Sequence, residues 1–244
     1  MRREFRLMLA IVVFYDFTFA LKKIICLGNE LSWPIVLPVL HNLDISMVHE
    51  VSETISAVDG LDICSVSLRH VGAMHSFGVL KSKSSRSILL GVSTIVSENQ
   101  IIQAKMLGAG FVSSMYTPDV FISLTNKLQI PLLAGVSSAE EAYKASNNGA
   151  NSLKFYPSTS LSPATLRHIL QCQPTLSKSP IIIAGNIHET DFYKYLNIGV
   201  DGFAIGIDCN QYLSNKNQKY KLKQKLKYLK DIAEFSYDRY IKYK

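Results

Sequence analysis

The sequence predicts an α/β fold, a (β/α)8 TIM barrel that carries an additional apolar segment at its N-terminus and a basic helix at its C-terminus. Eight short apolar runs follow one another at a spacing of roughly 20 residues, and helix-length segments separate them. Glycine-containing turns at residues 108–110, 149–150 and 199–202 each lie just before a predicted strand, where a helix ends and the chain returns to the barrel. An open doubly wound sheet is the alternative fold. It normally has a glycine-rich turn after its first strand, where this chain has His41-Asn42-Leu43-Asp44.

The predicted strands are short runs of apolar residues bounded by turn residues. They cover residues 35–40, 61–68, 87–91, 110–114, 130–133, 152–155, 180–184 and 202–206. The intervening helices are predicted over residues 44–58, 72–80, 97–107, 118–128, 139–148, 163–171 and 189–196. Asp44 is expected to cap the first helix, because its side chain can accept a hydrogen bond from a free N–H group at the helix start.

The positive charge of the chain is concentrated at its C-terminus. Residues 216–244 contain ten Lys or Arg and three Asp or Glu, whereas residues 1–215 contain 16 of each sign. Apolar residues recur near helical spacing in this segment, which predicts a helix that packs one apolar stripe on the barrel. A surface for anionic membranes or nucleic acid is the alternative. No nucleic-acid motif accompanies it, so we expect no nucleic-acid partner, and membrane contact only through the termini.

The N-terminus begins with arginines at positions 2, 3 and 6, followed by an apolar run over residues 7–15 that Asp16 interrupts. This pattern is typical of a targeting leader, and residues 1–27 would then be removed. The alternative is a helix that caps one end of the barrel. The apolar run is short for a membrane span, and Asp16 is costly inside a bilayer. The predicted units are residues 1–30, the barrel over 31–213, and the basic helix over 214–244.

Four cysteines at positions 26, 64, 172 and 209 show no CxxC spacing. Zinc sites and disulfide frameworks usually have such spacing or a regular series of cysteines, so we expect no metal and no disulfide framework. The pattern favours a reducing compartment. The predicted location is the cytoplasm, or an organelle if the leader is removed.

Lys154 is the strongest candidate for a catalytic group. It lies inside the apolar run predicted as the sixth strand. Burial lowers the pKa of a lysine, and a neutral lysine is a nucleophile that condenses with carbonyl groups. The alternative is a lysine at a strand end whose ammonium group extends to water.

Other polar residues lie at the predicted strand ends, where barrels of this type place their catalytic groups. The alternation Ser65, Ser67, Arg69 puts three polar side chains on one face of the second strand. If this face is the barrel interior, Arg69 lies in the same cavity as Lys154, lowers its pKa and binds the carboxylate of a 2-keto acid. Backbone N–H groups of Gly185 and Asn186, after the seventh strand, could hold a phosphate. The alternative is a simple turn.

Three motifs resemble one known family over residues 33–209. Lys154-Phe155-Tyr156-Pro157 resembles a Lys-Phe-Phe-Pro motif, Val66-Ser67-Leu68-Arg69 resembles Val-Thr-Leu-Arg, and Gly91-Val92-Ser93-Thr94 resembles Gly-x-Gly-Thr. These are motifs of the 2-keto-3-deoxy-6-phosphogluconate / 4-hydroxy-2-oxoglutarate (KDPG/KHG) aldolase family. The segment over residues 130–137 adds to the resemblance.

The resemblance implies a metal-free class I aldolase of carbohydrate metabolism, usually a homotrimer, that cleaves or forms a 2-keto-3-deoxy or 4-hydroxy-2-oxo acid with pyruvate as one product. It implies that Lys154 forms the Schiff base. The substrate-binding residues are then Arg69, Thr94, Ser65, Gly185 and Asn186. Ser65 stands where the family has its general acid/base glutamate.

Two alternative functions remain open. The first is an aldolase-fold barrel with impaired catalysis that serves as a binding or interaction protein. Asp208 and His188 lie near strand ends and are the candidates to replace the missing glutamate. The second is an isomerase or epimerase, which would need an acid/base pair on opposite strands, and the sequence shows none.

Overall fold

The computed structural model describes residues 34–84, 88–213 and 219–242. Eight parallel strands form a closed barrel in which each strand pairs with the next and the last pairs with the first. The predicted fold class is confirmed. The N-terminal apolar segment lies outside the described residues.

Helices and strands alternate along the chain close to the predicted positions. The strands are β1 (Ile35–His41), β2 (Ile63–Ser67), β3 (Leu89–Ile95), β4 (Val112–Ser114), β5 (Leu132–Val136), β6 (Ser152–Phe155), β7 (Ile181–Ala184) and β8 (Gly202–Asp208). The helices are α1 (Val48–Ser56), α2 (Ala73–Lys83), α3 (Glu98–Met106), α4 (Asp119–Lys127), α5 (Ala139–Asn147), α6 (Pro163–Cys172), α7 (Phe192–Leu196), α8 (Cys209–Leu213) and α9 (Lys219–Lys242). Short 3-10 turns occur at Ile45–Met47, Ser158–Ser160, Pro174–Lys178 and Glu189–Asp191.

Serine side chains fix the starts of three helices. Ser97, Ser138 and Ser162 each accept a hydrogen bond from the backbone N–H three residues later. Asp44 caps the 3-10 turn before α1 in the same way, by accepting from the N–H of Ser46. Such caps satisfy N–H groups that a helix start leaves free. They set the point at which each of these loops ends and its helix begins.

The strands separate two apolar cores, because successive side chains of a strand point to opposite faces. The larger core lies between the strands and the surrounding helices. The smaller core fills the N-terminal part of the barrel interior, and it consists of Ile35, Leu37, Ile63, Leu89, Phe111, Leu133, Ile182, Ala184 and Ala204. Toward the C-terminal ends of the strands, the interior positions become polar or small. The barrel is therefore open at that end.

The C-terminal helix α9 is packed on the barrel by one apolar stripe, as predicted. Leu222, Leu226, Leu229 and Ala233 are fully buried, and the helix contacts α1, α7 and β1. Lys225 forms an ion pair with Glu189 at 2.7 Å. Helix α9 thus fills the gap between the helices that follow β7 and β1. Within the described ranges, no helix is both long and apolar enough to span a membrane.

Candidate active site

A cavity of about 270 Å³ opens at the C-terminal end of the barrel. Its lining residues are Leu37, Val39, His41, Arg69, Ser93, Thr94, Ser113, Lys154, Tyr156, Pro157, Ala184, Gly185, Asn186, Ala204 and Gly206. They come from seven of the eight strands or the loops that follow them, which is where barrels of this type carry their active sites.

Lys154 extends into this cavity from β6 and is only 8% exposed. Its Nζ donates hydrogen bonds to Ser113 Oγ at 2.8 Å and to the carbonyl oxygen of Ser114 at 2.7 Å. Both acceptors are neutral, so they compensate little for the loss of water around an ammonium group. Burial, with a smaller contribution from the nearby Arg69 guanidinium, lowers the pKa of Lys154 to about 7. The alternative of a lysine extended to water does not fit this position.

Gly135 on β5 permits the close approach that supplies one of these acceptors. A Cβ atom at this residue would overlap the carbonyl oxygens of Ser114 and Met115. Its N–H donates to Ser114 Oγ at 3.0 Å. Gly135 therefore helps to hold the Ser114 carbonyl in place beside Lys154.

Arg69 lies beyond the end of β2 and lines the same cavity, as the strand alternation predicts. Its guanidinium donates to the hydroxyl of Tyr156 at 3.2 Å. The Tyr156 ring in turn lies 5.9 Å from Lys154 Nζ. Arg69 is exposed at the cavity mouth, where a guanidinium can form a bidentate pair with a carboxylate.

Serine and threonine hydroxyls occupy the interior between β2 and β3. Ser93 Oγ donates to Ser65 Oγ at 2.6 Å, and Ser67 Oγ and Thr94 Oγ1 are 2.9 Å apart. Thr94 has a φ angle of 66° in the left-handed region, which is uncommon for a β-branched residue. Ser93 and Thr94 line the cavity, whereas Ser65 is fully buried behind Ser93. Ser65 can thus act on a bound molecule only through Ser93.

The loop after β7 places Gly185 and Asn186 at the cavity, and both have positive φ angles of 85° and 55°. A Cβ atom at Gly185 would lie 2.7 Å from the Tyr156 ring. Glycine is therefore needed here both for the backbone conformation and for the packing of Tyr156. Asn is one of the few other residues that adopt the left-handed conformation readily.

His41 is a cavity residue that the sequence reasoning missed. It ends β1 and lines the cavity, and its Nδ1 atom is buried without a hydrogen-bond partner among the described residues. Burial and the charge of Arg69 lower the pKa of His41, and the carboxylate of Asp208 opposes this shift. The predicted strand ended at Leu40. The alternation of Leu37, Val39 and His41 was the signal that would have placed His41 in the barrel interior.

The family model described as "Aldolase: KDPG and KHG aldolase" matches residues 28–219. The chain belongs to the KDPG/KHG aldolase family. The match includes all eight strands and every residue of the cavity lining, so the resemblance stated from the motifs is confirmed.

Three curated relatives are named as aldolases of this family. A probable 2-dehydro-3-deoxy-6-phosphogalactonate aldolase from Rhizobium meliloti is 27% identical over 118 residues, which cover 48% of this chain and 55% of the relative. A 2-dehydro-3-deoxy-phosphogluconate aldolase from Treponema pallidum is 25% identical over 56% of this chain and 64% of the relative. One from Pseudoalteromonas atlantica is 24% identical over 67% of this chain and 74% of the relative. The chain thus spans less than two thirds of the first two relatives.

Solved structures show the same barrel. A native KDPGal structure superposes with a TM-score of 0.71 at 15% identity, covering 88% of this chain and 99% of the other. KDPG aldolase from Legionella pneumophila, with pyruvate captured as a covalent carbinolamine, gives 0.67 at 21% identity, covering 83% and 93%. Thiamine phosphate pyrophosphorylase from Pyrococcus furiosus gives 0.59 at 19% identity, covering 83% and 97%. Because enzymes with different names share this barrel, the likeness shows the fold alone.

Both suggested replacements for the glutamate lie outside the cavity lining of this aldolase-family barrel. His188 caps the turn before α7, and its Nδ1 lies 2.9 Å from Thr190 Oγ1. Asp208 Oδ1 accepts hydrogen bonds from Asn42 Nδ2 at 3.1 Å and from the N–H of Asn210 at 3.0 Å. The structure brings five of the six predicted site residues together at the cavity, namely Lys154, Arg69, Thr94, Gly185 and Asn186.

Proposed function

We propose that this protein is a class I aldolase, an aldehyde-lyase that cleaves or forms a 2-keto-3-deoxy or 4-hydroxy-2-oxo acid with pyruvate as one product. One observation carries the proposal. Lys154 is a buried amine with a pKa of about 7 that faces a cavity and has only neutral hydrogen-bond partners. At neutral pH a large fraction of this amine is unprotonated and nucleophilic.

Lys154 would attack the C2 carbonyl of the keto acid and form a carbinolamine, which loses water to give an iminium ion. The iminium nitrogen accepts the electron pair of the C3–C4 bond as that bond breaks. This leaves an enamine on Lys154, and C4 leaves as an aldehyde as a base takes the proton of its hydroxyl. Ser113 Oγ and the Ser114 carbonyl direct the amine before the attack, and the Ser113 hydroxyl can donate a hydrogen bond to the carbinolamine hydroxyl.

Arg69 would hold the substrate carboxylate at the cavity mouth. Its guanidinium bonds to Tyr156 in the described structure and retains other N–H groups for a bidentate pair. Thr94 and Ser93 offer hydroxyls on one side of the cavity, and Gly185 and Asn186 offer polar groups on the other. Ser65 would support the site by orienting Ser93.

Membership of the aldolase family supports this proposal, and so does the carbinolamine captured in the Legionella pneumophila enzyme. A homotrimer is proposed from the family resemblance. The second candidate is a barrel that binds a 2-keto acid without efficient turnover. One observation favours it: Ser65, which the resemblance aligns with the family's glutamate, accepts a hydrogen bond from the hydroxyl of Ser93.

The test is release of pyruvate from a panel of 4-hydroxy-2-oxo acids and 2-keto-3-deoxy acids, measured by coupling to NADH oxidation. Lys154→Met and the exposed control Lys127→Met are compared with the wild type. We expect release by the wild type and by Lys127→Met, and none by Lys154→Met. Release that survives Lys154→Met would exclude the Schiff-base mechanism, and no release by a folded wild type would favour the binding protein.

A further inference from the structure

The aldolase chemistry needs a proton acceptor that the cavity does not supply as a carboxylate. Among the described residues that line the cavity, none is Asp or Glu. The ionisable side chains in the lining are His41, Arg69, Lys154 and Tyr156. Arginine stays protonated at all relevant pH values, and Lys154 is consumed in the imine. Tyr156 carries a phenol, and a neutral phenol is a weak proton acceptor. His41 is left as the group that can both accept and return a proton.

The position of His41 is compatible with proton transfer in the cavity. The Cα atom of His41 is paired in register with that of Asp208 on β8. The imidazole lies over Gly206, where an added Cβ atom would come within 2.9 Å of Nε2. Glycine at position 206 therefore leaves the room that the ring occupies.

The burial of Nδ1 indicates which ring nitrogen of His41 is available to the cavity. Buried polar atoms in proteins are nearly always hydrogen-bonded, and an exception needs a specific reason. The buried Nδ1 of His41 has no partner among the described residues, although its side chain lines a cavity. Because Nδ1 is closed off from solvent, the ring nitrogen left to meet a substrate hydroxyl in the cavity is Nε2.

We propose, on the basis of the proposed aldolase function, that His41 is the catalytic acid/base of this site. Neutral His41 takes the proton of the C4 hydroxyl as the C3–C4 bond breaks. The electron pair of that bond forms the enamine C2–C3 double bond and neutralises the iminium nitrogen, and C4 leaves as the aldehyde. Protonated His41 then returns its proton to C3, which regenerates the iminium ion of pyruvate. Water hydrolyses this ion and frees Lys154.

The charged groups around His41 favour its neutral form as the starting state. Burial lowers the pKa of His41, the nearby Arg69 guanidinium lowers it further, and Asp208 opposes both. A general base must be unprotonated before the reaction and must hold a proton briefly after it.

The experiment follows the exchange of the pyruvate methyl protons for deuterium in D2O by NMR. This exchange requires the imine and then proton transfer at C3, but no aldehyde. Borohydride trapping on the same samples measures imine formation by itself. His41→Gln is compared with the wild type and with His188→Gln, a histidine at the same end of the barrel that lies outside the cavity lining.

We expect His41→Gln to keep the trapped adduct and to lose exchange by about 10²-fold or more, which is the usual contribution of a general acid/base. His188→Gln should exchange like the wild type. His41→Ala with added imidazole is the second variant, and exchange should recover with imidazole concentration. If His41→Gln or His41→Ala forms the adduct and still exchanges at the wild-type rate, the role of His41 is overturned. The proposed function would stand. No adduct in the wild type would overturn the proposed function and this role together.

The residues after β8 bear on the part of the substrate that leaves as the aldehyde. Barrels of this type often bind phosphate with the loops after β7 and β8 and the start of a short following helix. Here the carboxylate of Asp208 lies at the end of β8 and takes the N–H of Asn210 in α8 and the amide of Asn42. The N–H of Asn210, at the start of this short helix, is therefore already used by an anion.

The small number of cationic side chains in the cavity also argues against a bound phosphate. Arg69 and Lys154 are the Lys and Arg side chains among the described lining residues. Arg69 is needed for the keto-acid carboxylate, and Lys154 becomes neutral in the enamine. A phosphate dianion would have to lie near the Asp208 carboxylate without a cation of its own, and like charges at an unpaired site are strongly unfavourable.

We infer that the aldehyde partner of this aldolase is unphosphorylated, an inference that also rests on the proposed function. The probes are glyceraldehyde and glyceraldehyde 3-phosphate, which differ only by the phosphate, in condensation with pyruvate. We expect kcat/KM for the unphosphorylated aldehyde to exceed that for the phosphorylated one by about tenfold or more.

Asp208→Asn removes the charge and keeps an oxygen for Asn42 and Asn210, so it should shift the ratio by about tenfold toward the phosphorylated aldehyde. A wild type that prefers the phosphorylated aldehyde, or a ratio unchanged by Asp208→Asn, would overturn the inference while leaving the aldolase function in place. A wild type that fails to form the pyruvate adduct would instead overturn the proposed function.

Discussion

The two sides of the cavity differ in how fully their polar groups are paired. On the imine side, formed by β4, β5 and β6, Lys154 Nζ has two acceptors from Ser113 and Ser114. On the proton-transfer side, formed by β8, β1 and β2, a histidine nitrogen lacks a partner among the described residues, and Ser65 Oγ accepts a hydrogen bond from Ser93 Oγ. The imine side is organised by protein groups before a ligand binds, whereas the proton-transfer side is less fully paired. Imine formation and proton transfer are therefore separable by mutation.

The largest effect among substitutions that leave every ionisable cavity residue in place is expected from Gly135→Ala on the imine side. The new methyl group overlaps the carbonyl oxygens of Ser114 and Met115, so β4 or β5 must shift and Lys154 loses an acceptor. Misplacement of a catalytic group by about 1 Å typically costs about 10²-fold in rate. We expect borohydride trapping to slow by that factor, and the free energy of unfolding in urea to fall by about 1–3 kcal/mol. Ala134→Gly on the same strand is the control, and a trapping rate unchanged in Gly135→Ala would remove the role assigned to that glycine.

A change of one pH unit below 7 is expected to alter the trapping rate by a somewhat smaller factor. Only the neutral amine attacks pyruvate, and the pKa of Lys154 is lowered to about 7. The rate of adduct formation should therefore rise about tenfold per pH unit below 7 and level off above it. A rate that still rises steeply between pH 8 and 10 would show that Lys154 keeps the pKa of an exposed lysine.

The lowered pKa of Lys154 also makes the stability of the folded protein depend on pH. Between pH 7 and about 10.4 the unfolded chain holds a proton on Lys154 that the folded chain does not, so this group makes the protein more stable as pH rises across that window. Lys154→Met removes this dependence. We expect the variant to be more stable than the wild type at pH 7, with a difference that shrinks toward pH 10. Parallel stability curves across this window would contradict the burial of a neutral amine.

The smallest effect, a gain of several-fold, is expected from Ser65→Glu on the proton-transfer side. The change places a carboxylate next to Ser93, where the resemblance aligns the family's glutamate, and general acid/base groups contribute up to about 10²–10⁴-fold in rate. The larger side chain enters a fully buried position, which limits the gain. Pyruvate release should rise in the wild-type background and recover in part in His41→Gln. Ser65→Gln, which has the same size and no charge, should give neither result, and no gain from the glutamate would mean that this side has changed beyond one residue.

Much of the imine side could be predicted from the sequence, and less of the opposite side. A cation inside an apolar strand is a strong local signal, so Lys154 stood out, and the alternation along β2 placed Arg69 in the same cavity. Ser113 was missed because strand periodicity does not tell which neighbour a lysine will reach. His41 was missed because the predicted first strand ended one residue early, and strand ends are the least certain part of such a prediction. The left-handed conformation of Thr94 depends on tertiary packing, which no local pattern reveals.

The C-terminal helix, away from the site, was likewise predictable from local periodicity, but its docking position was not. The spacing of Leu222, Leu226 and Leu229 predicted an apolar stripe, and the structure buries that stripe. The place where the stripe docks, between α7 and α1, depends on the closed order of the strands. Local periodicity therefore predicted the helix, but only the closed barrel shows that it completes the ring of helices.

The most direct test of the account is borohydride reduction in the presence of pyruvate, followed by intact-protein and peptide mass spectrometry. The account predicts one reduced pyruvate adduct per chain, located on Lys154, absent in Lys154→Met and present in Lys127→Met. A folded wild-type protein that gives no adduct, or one that carries it on another lysine, would contradict the central claim that the buried amine of β6 forms the imine.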